Sequence, residues 1–90
     1  MNKLVELLSK EKSNPKNIFG KLFCVRLKEL REEKDLTQAQ VALKMGIPVS
    51  TFANWEQGRR EPSIFDIYNL LWVLEVDANE LFGINNDIIL

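Results

Sequence analysis

Five residues near the middle of the chain, Val49, Ser50, Ala53, Asn54 and Gln57, fall at i, i+1, i+4, i+5 and i+8. On a helix that spacing gathers them on one side. Ser50, Asn54 and Gln57 carry hydroxyl and amide groups that both donate and accept hydrogen bonds. Val49 and Ala53 are small and apolar, and no large hydrophobic surface or ion-pair network stands among them. Such a face is cheap to leave in water and well shaped to enter a groove. Catalysis is poorly provided for anywhere in the chain. There is no histidine, so the commonest general base and metal ligand is missing. No glycine-rich phosphate loop is present, and the single cysteine, Cys24, can neither assemble a zinc site nor close an internal disulfide. The carboxylates stand where helices carry surface charge. The sequence therefore points to a binding protein with no catalytic residue, no metal and no cofactor.

The elements that would position this face can be read from spacing and punctuation. From about Phe19 to Lys34, the residues Phe23, Leu27, Leu30 and the stem of Arg31 recur at i, i+4, i+7 and i+8, a helix with one buried stripe. Thr37 with Gln40 three residues on is a capping box, followed by apolar Val41, Ala42 and Met45 and by Gly46 as the stop. Pro48 suits the opening of the next helix, which runs to about Gln57 and ends at Gly58. In it Phe52 and Trp55 face inward, with Ile47 in the turn. Two helices joined by so tight a turn cross steeply, and Ala42 supplies the small residue at the crossing. Ser63 and Asp66 cap a fourth helix whose expected core stripe is Ile64, Ile67, Leu71 and Leu74. Asp77 and Glu80 repeat the signature before Leu81, Phe82 and the closing Gly83.

No segment reads as a strand, and the expected class is all-α. Leu4, Leu7 and Leu8 are helix-spaced, so Met1–Lys10 is a candidate sixth helix. The polar stretch EKSNPKN, with Pro15 breaking any helix, reads as a linker. The expected organisation is an extension over 1–20, a domain over 21–83 and an apolar tail over 84–90. Ninety residues suit a single core. No run approaches the ~18 apolar residues of a membrane span, and the opening lacks a signal-peptide cleavage site. With its lone cysteine, the chain is expected in the cytoplasm.

The net charge of −1 conceals a division. Met1 to Arg60 holds all twelve Lys and Arg against seven acids, a balance of +5, whereas Glu61 to Leu90 holds six acids and no base. Local charge, rather than total charge, attracts phosphate. Chance or solubility is the plain alternative explanation of that asymmetry.

In register, the segments LKELREEKDLTQ, VALKMGI, STFANWEQGRREPS and ELF resemble the phage-repressor/Cro-like (XRE) helix-turn-helix family. The resemblance covers about two-thirds of the chain, Phe23 to Phe82. It implies a compact five-helix bundle of the lambda-repressor-like type that binds double-stranded DNA, with the Pro48–Gln57 helix in the major groove. Gln38 then matches a phosphate contact clamped against that helix. Val49, Ser50 and Asn54 match base-reading positions, and Thr51 a phosphate or base contact. Arg59 and Arg60 fall where the loop nears the DNA backbone. Arg31 and Glu56 match a partly buried ion pair between the first and third helices. The residue chemistry agrees: Asn54 suits adenine N6 and N7, and Val49 a thymine methyl. Three departures stand out. Pro48 and Val49 make the recognition helix less polar at its start, no Arg or Lys lies on its outer face, and Glu75 replaces a common glycine after the fourth helix.

Plainer readings accompany these. Ser50 and Asn54 would otherwise be solvated surface residues, Gln38 a mere helix-start residue, and Trp55 a core side chain instead of a base-stacking one. Lys10, Lys12, Lys16 and Lys21 form either a solvated segment or a DNA-tracking arm. Phe65, Tyr68 and Trp72 make a second apolar stripe on the fourth helix. Either a homodimer buries it, or Leu4, Leu7 and Leu8 or Ile84, Ile88, Ile89 and Leu90 fold back over it. The expectation is a transcriptional regulator, a repressor by occlusion, acting as a homodimer on an inverted repeat. Roles as a restriction-modification controller or as the antitoxin of a toxin pair are compatible, with a toxin or effector as a further protein partner and no membrane. The rival is a protein-interaction module that uses the same fold without reading DNA.

Overall fold

The computed structural model describes residues 15–84, with side-chain surroundings from Gly20 onward. Five helices follow in order: α1 (Pro15–Glu33), α2 (Gln38–Met45), α3 (Val49–Glu56), α4 (Ile64–Leu74) and α5 (Ala78–Phe82). No strand occurs among the described residues, and none of their helices is long and apolar enough to cross a membrane. The all-α, five-helix expectation holds. The candidate sixth helix at Met1–Lys10 and the tail beyond Ile84 lie outside the described residues.

Several expected boundaries move. Pro15 opens α1 instead of breaking it, because a first-turn residue has no intrahelical use for the N–H that proline lacks. The expected boundary after residue 20 therefore falls inside α1. Pro48 and Gln57 are the caps that flank α3 and not its end residues.

Local chemistry explains most starts and stops. Thr37 Oγ1 accepts from Gln40 N at 3.1 Å while Gln40 Oε1 accepts from Thr37 N at 2.8 Å. Ser63 and Asp66 make the same exchange at α4, and Asp77 and Glu80 at α5. After each helix one residue turns left-handed: Asp35, Gly46, Gly58, Glu75 and Gly83. The next amide then reaches back to a carbonyl five residues earlier, from Leu36 to Arg31, Ile47 to Ala42, Arg59 to Asn54, Val76 to Leu71 and Ile84 to Asn79. Glu75 makes the bend that glycine commonly makes, at φ 56° and ψ 49°. A side chain in that region costs about 1–2 kcal/mol, which the rest of the fold offsets.

The core consists of Leu27 and Leu30 from α1, Val41 and Ala42 from α2, and Phe52 and Trp55 from α3. Leu70 and Leu74 from α4 and Leu81 from α5 complete it. Helix α2 packs on α3 and α4, and α1 on α3 and α5. The Phe23 and Phe82 rings, 5.9 Å apart, help join α1 to α5, and Arg26 Nε donates to the Glu80 carbonyl at 2.7 Å.

One expected core residue is misplaced. Ile64 is 90% exposed, and the inward stripe of α4 runs through Ile67, Leu70, Leu71 and Leu74. Ile64 is the first residue of α4, on the same side as Phe65, Tyr68 and Trp72 at i, i+1, i+4 and i+8. The core begins a turn later.

Candidate nucleic-acid interface

Helix α3 is only eight residues long, too short to persist alone, so its neighbours must hold it. Phe52 and Trp55 are its buried side, their rings edge to face with centroids 6.0 Å apart. Ala42, almost fully buried on α2, leaves the space for the close crossing. Trp55 is thus a core side chain and is not available for base stacking.

A charged clamp holds the other flank. Arg31 Nε donates to Glu56 Oε2 at 2.6 Å and its Nη2 to Oε1 at 3.2 Å, while Nη1 donates to the Leu36 carbonyl at 2.8 Å. Gln38 Nε2 donates to Glu56 Oε1 at 2.9 Å. One carboxylate therefore joins α1, the start of α2 and the end of α3. Only 3% of the Glu56 side chain and 11% of the Arg31 side chain reach solvent. The hydrogen bond to Glu56 raises the already high pKa of Arg31 further, against the opposing effect of burial. The guanidinium is a permanent cation, and the two-toothed geometry suits a planar fork that lysine could not supply.

The exit from α3 is held as firmly. The amides of Arg59 and Arg60 both point to the Asn54 carbonyl, at 2.9 and 3.4 Å. Cys24 of α1 donates its thiol hydrogen to the Trp55 carbonyl at 3.2 Å, and a Cβ at Gly58 would sit 3.3 Å from that sulfur. The loop therefore lies directly on α1. Burial pushes the Cys24 thiol up; its own backbone amide opposes this, and the Glu56 charge adds to it. At neutral pH the sulfur is a protonated packing group.

What remains of α3 faces out. Ser50 and Gln57 are exposed, Val49 is 48% exposed on one edge, and Ala53, Asn54 and Thr51 are half-buried, with Thr51 on the opposite flank. None of Ser50, Asn54 and Gln57 commits its side chain to a hydrogen bond among the described residues. Gln38 and Gln40, by contrast, are both committed. Unlike α2, α4 and α5, α3 starts with no side-chain cap, so its first amides have no side-chain acceptor at that end. Arg59 and Arg60 are exposed just past the end of this face.

The structure thus brings Gln38, Arg31 and Glu56 into one network and puts Val49, Ser50 and Asn54 along one accessible side. Phe65, Tyr68 and Trp72 lie elsewhere, on α4. Sequence reasoning missed the parts played by Cys24 and by the Leu36 carbonyl. A lone cysteine between apolar neighbours gives no pattern, and a backbone acceptor leaves no trace in the residue types.

A family model described as helix-turn-helix matches residues 27–81, more than half of the chain. The chain belongs to the helix-turn-helix family. Its type is XRE-like, with α2 and α3 as the helix-turn-helix pair. Among relatives, it is 29% identical over 66 residues to the uncharacterized HTH-type transcriptional regulator YobD of Bacillus subtilis, covering 73% of this chain and 59% of that one. It is 35% identical over 60 residues to YqaE of the same organism, covering 67% and 52%. With y4dJ of Sinorhizobium fredii it shares 38% over 52 residues, covering 58% and 68%. The first two matches therefore span little more than half of those regulators. No solved structure matches this helix-turn-helix chain.

Proposed function

We propose that this protein is a transcriptional regulator that binds double-stranded DNA sequence-specifically, with α3 in the major groove. The outer face of α3 carries the reading: hydrogen-bonding side chains with no partner among the described residues stand on a helix clamped from three sides. In this reading Val49, Ser50 and Asn54 contact base edges. Gln38 and Thr51 contact the phosphate backbone, joined by Arg59 and Arg60. The names of the relatives, all HTH-type transcriptional regulators, support the same role. Repression by occlusion of a promoter in the cytoplasm is the simplest mechanism, and a restriction-modification controller or an antitoxin fits it equally.

The protein acts as a homodimer on an inverted repeat. This part of the proposal rests on α4, where Ile64 is 90%, Phe65 71%, Tyr68 57% and Trp72 70% exposed. Aromatic side chains of ~150–250 Å² each, left this open, approach the ~300–600 Å² of the largest apolar patch on a typical monomer. A symmetric pair of such stripes would form the centre of an interface of about 800 Å² per partner. A two-fold dimer would present two α3 helices to half-sites about 34–36 Å apart.

The test is selection from a random duplex library with the wild type, Asn54→Ala and Ser50→Ala. A palindromic motif whose specificity relaxes in the variants is expected. The α4 stripe also favours a second reading, a domain that binds a partner protein. Absence of any enriched motif at low salt, with the protein folded, would transfer the weight to it.

A further inference from the structure

We infer that the α3 face reads adenine and thymine edges, so that each half-site is centred on A·T pairs. The inference rests on the DNA-binding reading above and specifies its substrate.

The readers available on α3 are limited. Guanine is most often recognised by an Arg or Lys that meets O6 and N7 together, and cytosine by an acidic side chain accepting from N4. From Val49 to Gln57 there is no Arg or Lys, and the one acid, Glu56, has both oxygens held by Arg31 and Gln38. What is uncommitted on the outer side, among the described residues, is two amides, Asn54 and Gln57, one hydroxyl, Ser50, and the small apolar groups of Val49 and Ala53. An amide meets adenine N6 and N7 in a paired donor–acceptor contact, and small apolar groups pack against the thymine methyl. Both chemistries belong to the same base pair.

The geometry suits this use. Asn54 is short, so it reaches a base edge only if the helix comes close. Ser50 and Ala53 beside it are small enough to permit that approach. The Asn54 backbone is pinned by two amides from the following loop, which reduces the freedom lost when its side chain binds. Eight residues make about 12 Å of helix, against a rise of about 3.4 Å per base pair, so the face spans roughly three to four pairs. Arg59 and Arg60 lie beyond α3, where the helix has ended.

The experiment uses the full chain and the half-site recovered by selection. Each thymine is replaced singly by uracil, which lacks the methyl group, and each adenine by 7-deaza-adenine, which lacks N7. Affinities are measured for the wild type, Asn54→Ala, Gln57→Ala and Val49→Ala. At one adenine, the deaza base should weaken the wild type about ten-fold and leave either Asn54→Ala or Gln57→Ala with no further loss. At one thymine, loss of the methyl should weaken the wild type several-fold and leave Val49→Ala unmoved. Because these positions face outward, the variants should keep wild-type circular dichroism and the same salt-dependent binding to unrelated duplex. Recovery of a G·C-centred half-site, or analogue effects that persist undiminished in all three variants, would overturn the A·T inference and leave DNA binding standing. Folded protein that binds no duplex at low salt would overturn both.

Discussion

Glu56 is the residue on which the arrangement of α1, α2 and α3 converges, since both of its oxygens are engaged by Arg31 and one of them by Gln38 as well. Removing one partner of a buried pair leaves the other charge without solvent or counterion, at a cost of about 3–5 kcal/mol. Glu56→Ala should therefore show that loss in urea unfolding, whereas Arg31→Met combined with Glu56→Leu should recover most of it. Glu75 should act in the opposite direction. It holds a left-handed conformation and places a negative charge at the C-terminal end of α4, both unfavourable. Glu75→Gly is expected to stabilise by about 1 kcal/mol after allowing for glycine's looser unfolded chain, raising the melting temperature by about 4–8 °C. At this scale the sequence was unevenly legible. Arg31 could be picked out as a charge on an apolar stripe, but Glu56 acquired a partner only through the family resemblance. Nothing marked Cys24 as the support beneath Gly58.

Helix limits were the most legible feature, because a cap is a local pattern of side chain and backbone that distant contacts do not rewrite. The boxes at Thr37, Ser63 and Asp77 all form. Ser63→Ala should accordingly cost about 1 kcal/mol in thermal or urea unfolding, without altering the surface of α3. The facing of α4 was harder. In IFDIYNLLWVL nearly every position is apolar, so two stripes fit a helical period almost equally well. Periodicity alone selected Ile64 and passed over Leu70. Only the packing of α2 against α4 decides between them. Pro15 posed a similar ambiguity, because the same residue ends whatever precedes it and opens whatever follows.

For the molecule as a whole, the uneven charge has a direct consequence. Each phosphate neutralised lowers log affinity by about 0.9 per log unit of salt. Arg59→Ala and Arg60→Ala should each reduce that slope by about one such increment in a salt titration, with little change in the preferred sequence. Assembly into the proposed homodimer would depend on the α4 stripe. Trp72→Glu, in the middle of the exposed α4 stripe, should give a folded monomer with weakened operator binding; an unchanged dimer in sedimentation equilibrium would remove this surface from the account. Charge asymmetry and the aromatic stripe were visible in the bare sequence. What covers the stripe was not, since the apolar residues of both termini compete with a second copy for the role.

The separation between the side of α3 that holds and the side that faces out has an evolutionary consequence. Phe52, Trp55 and Glu56 bear the architecture, while the side chains of Ser50, Asn54 and Gln57 bear none of its hydrogen bonds among the described residues. If α3 reads DNA as proposed, a change at those three positions would alter what the protein recognises while costing little in folding. A duplicated copy could acquire a new target by substitutions that selection for stability barely sees. On that reading the domain can diverge in address while keeping its frame.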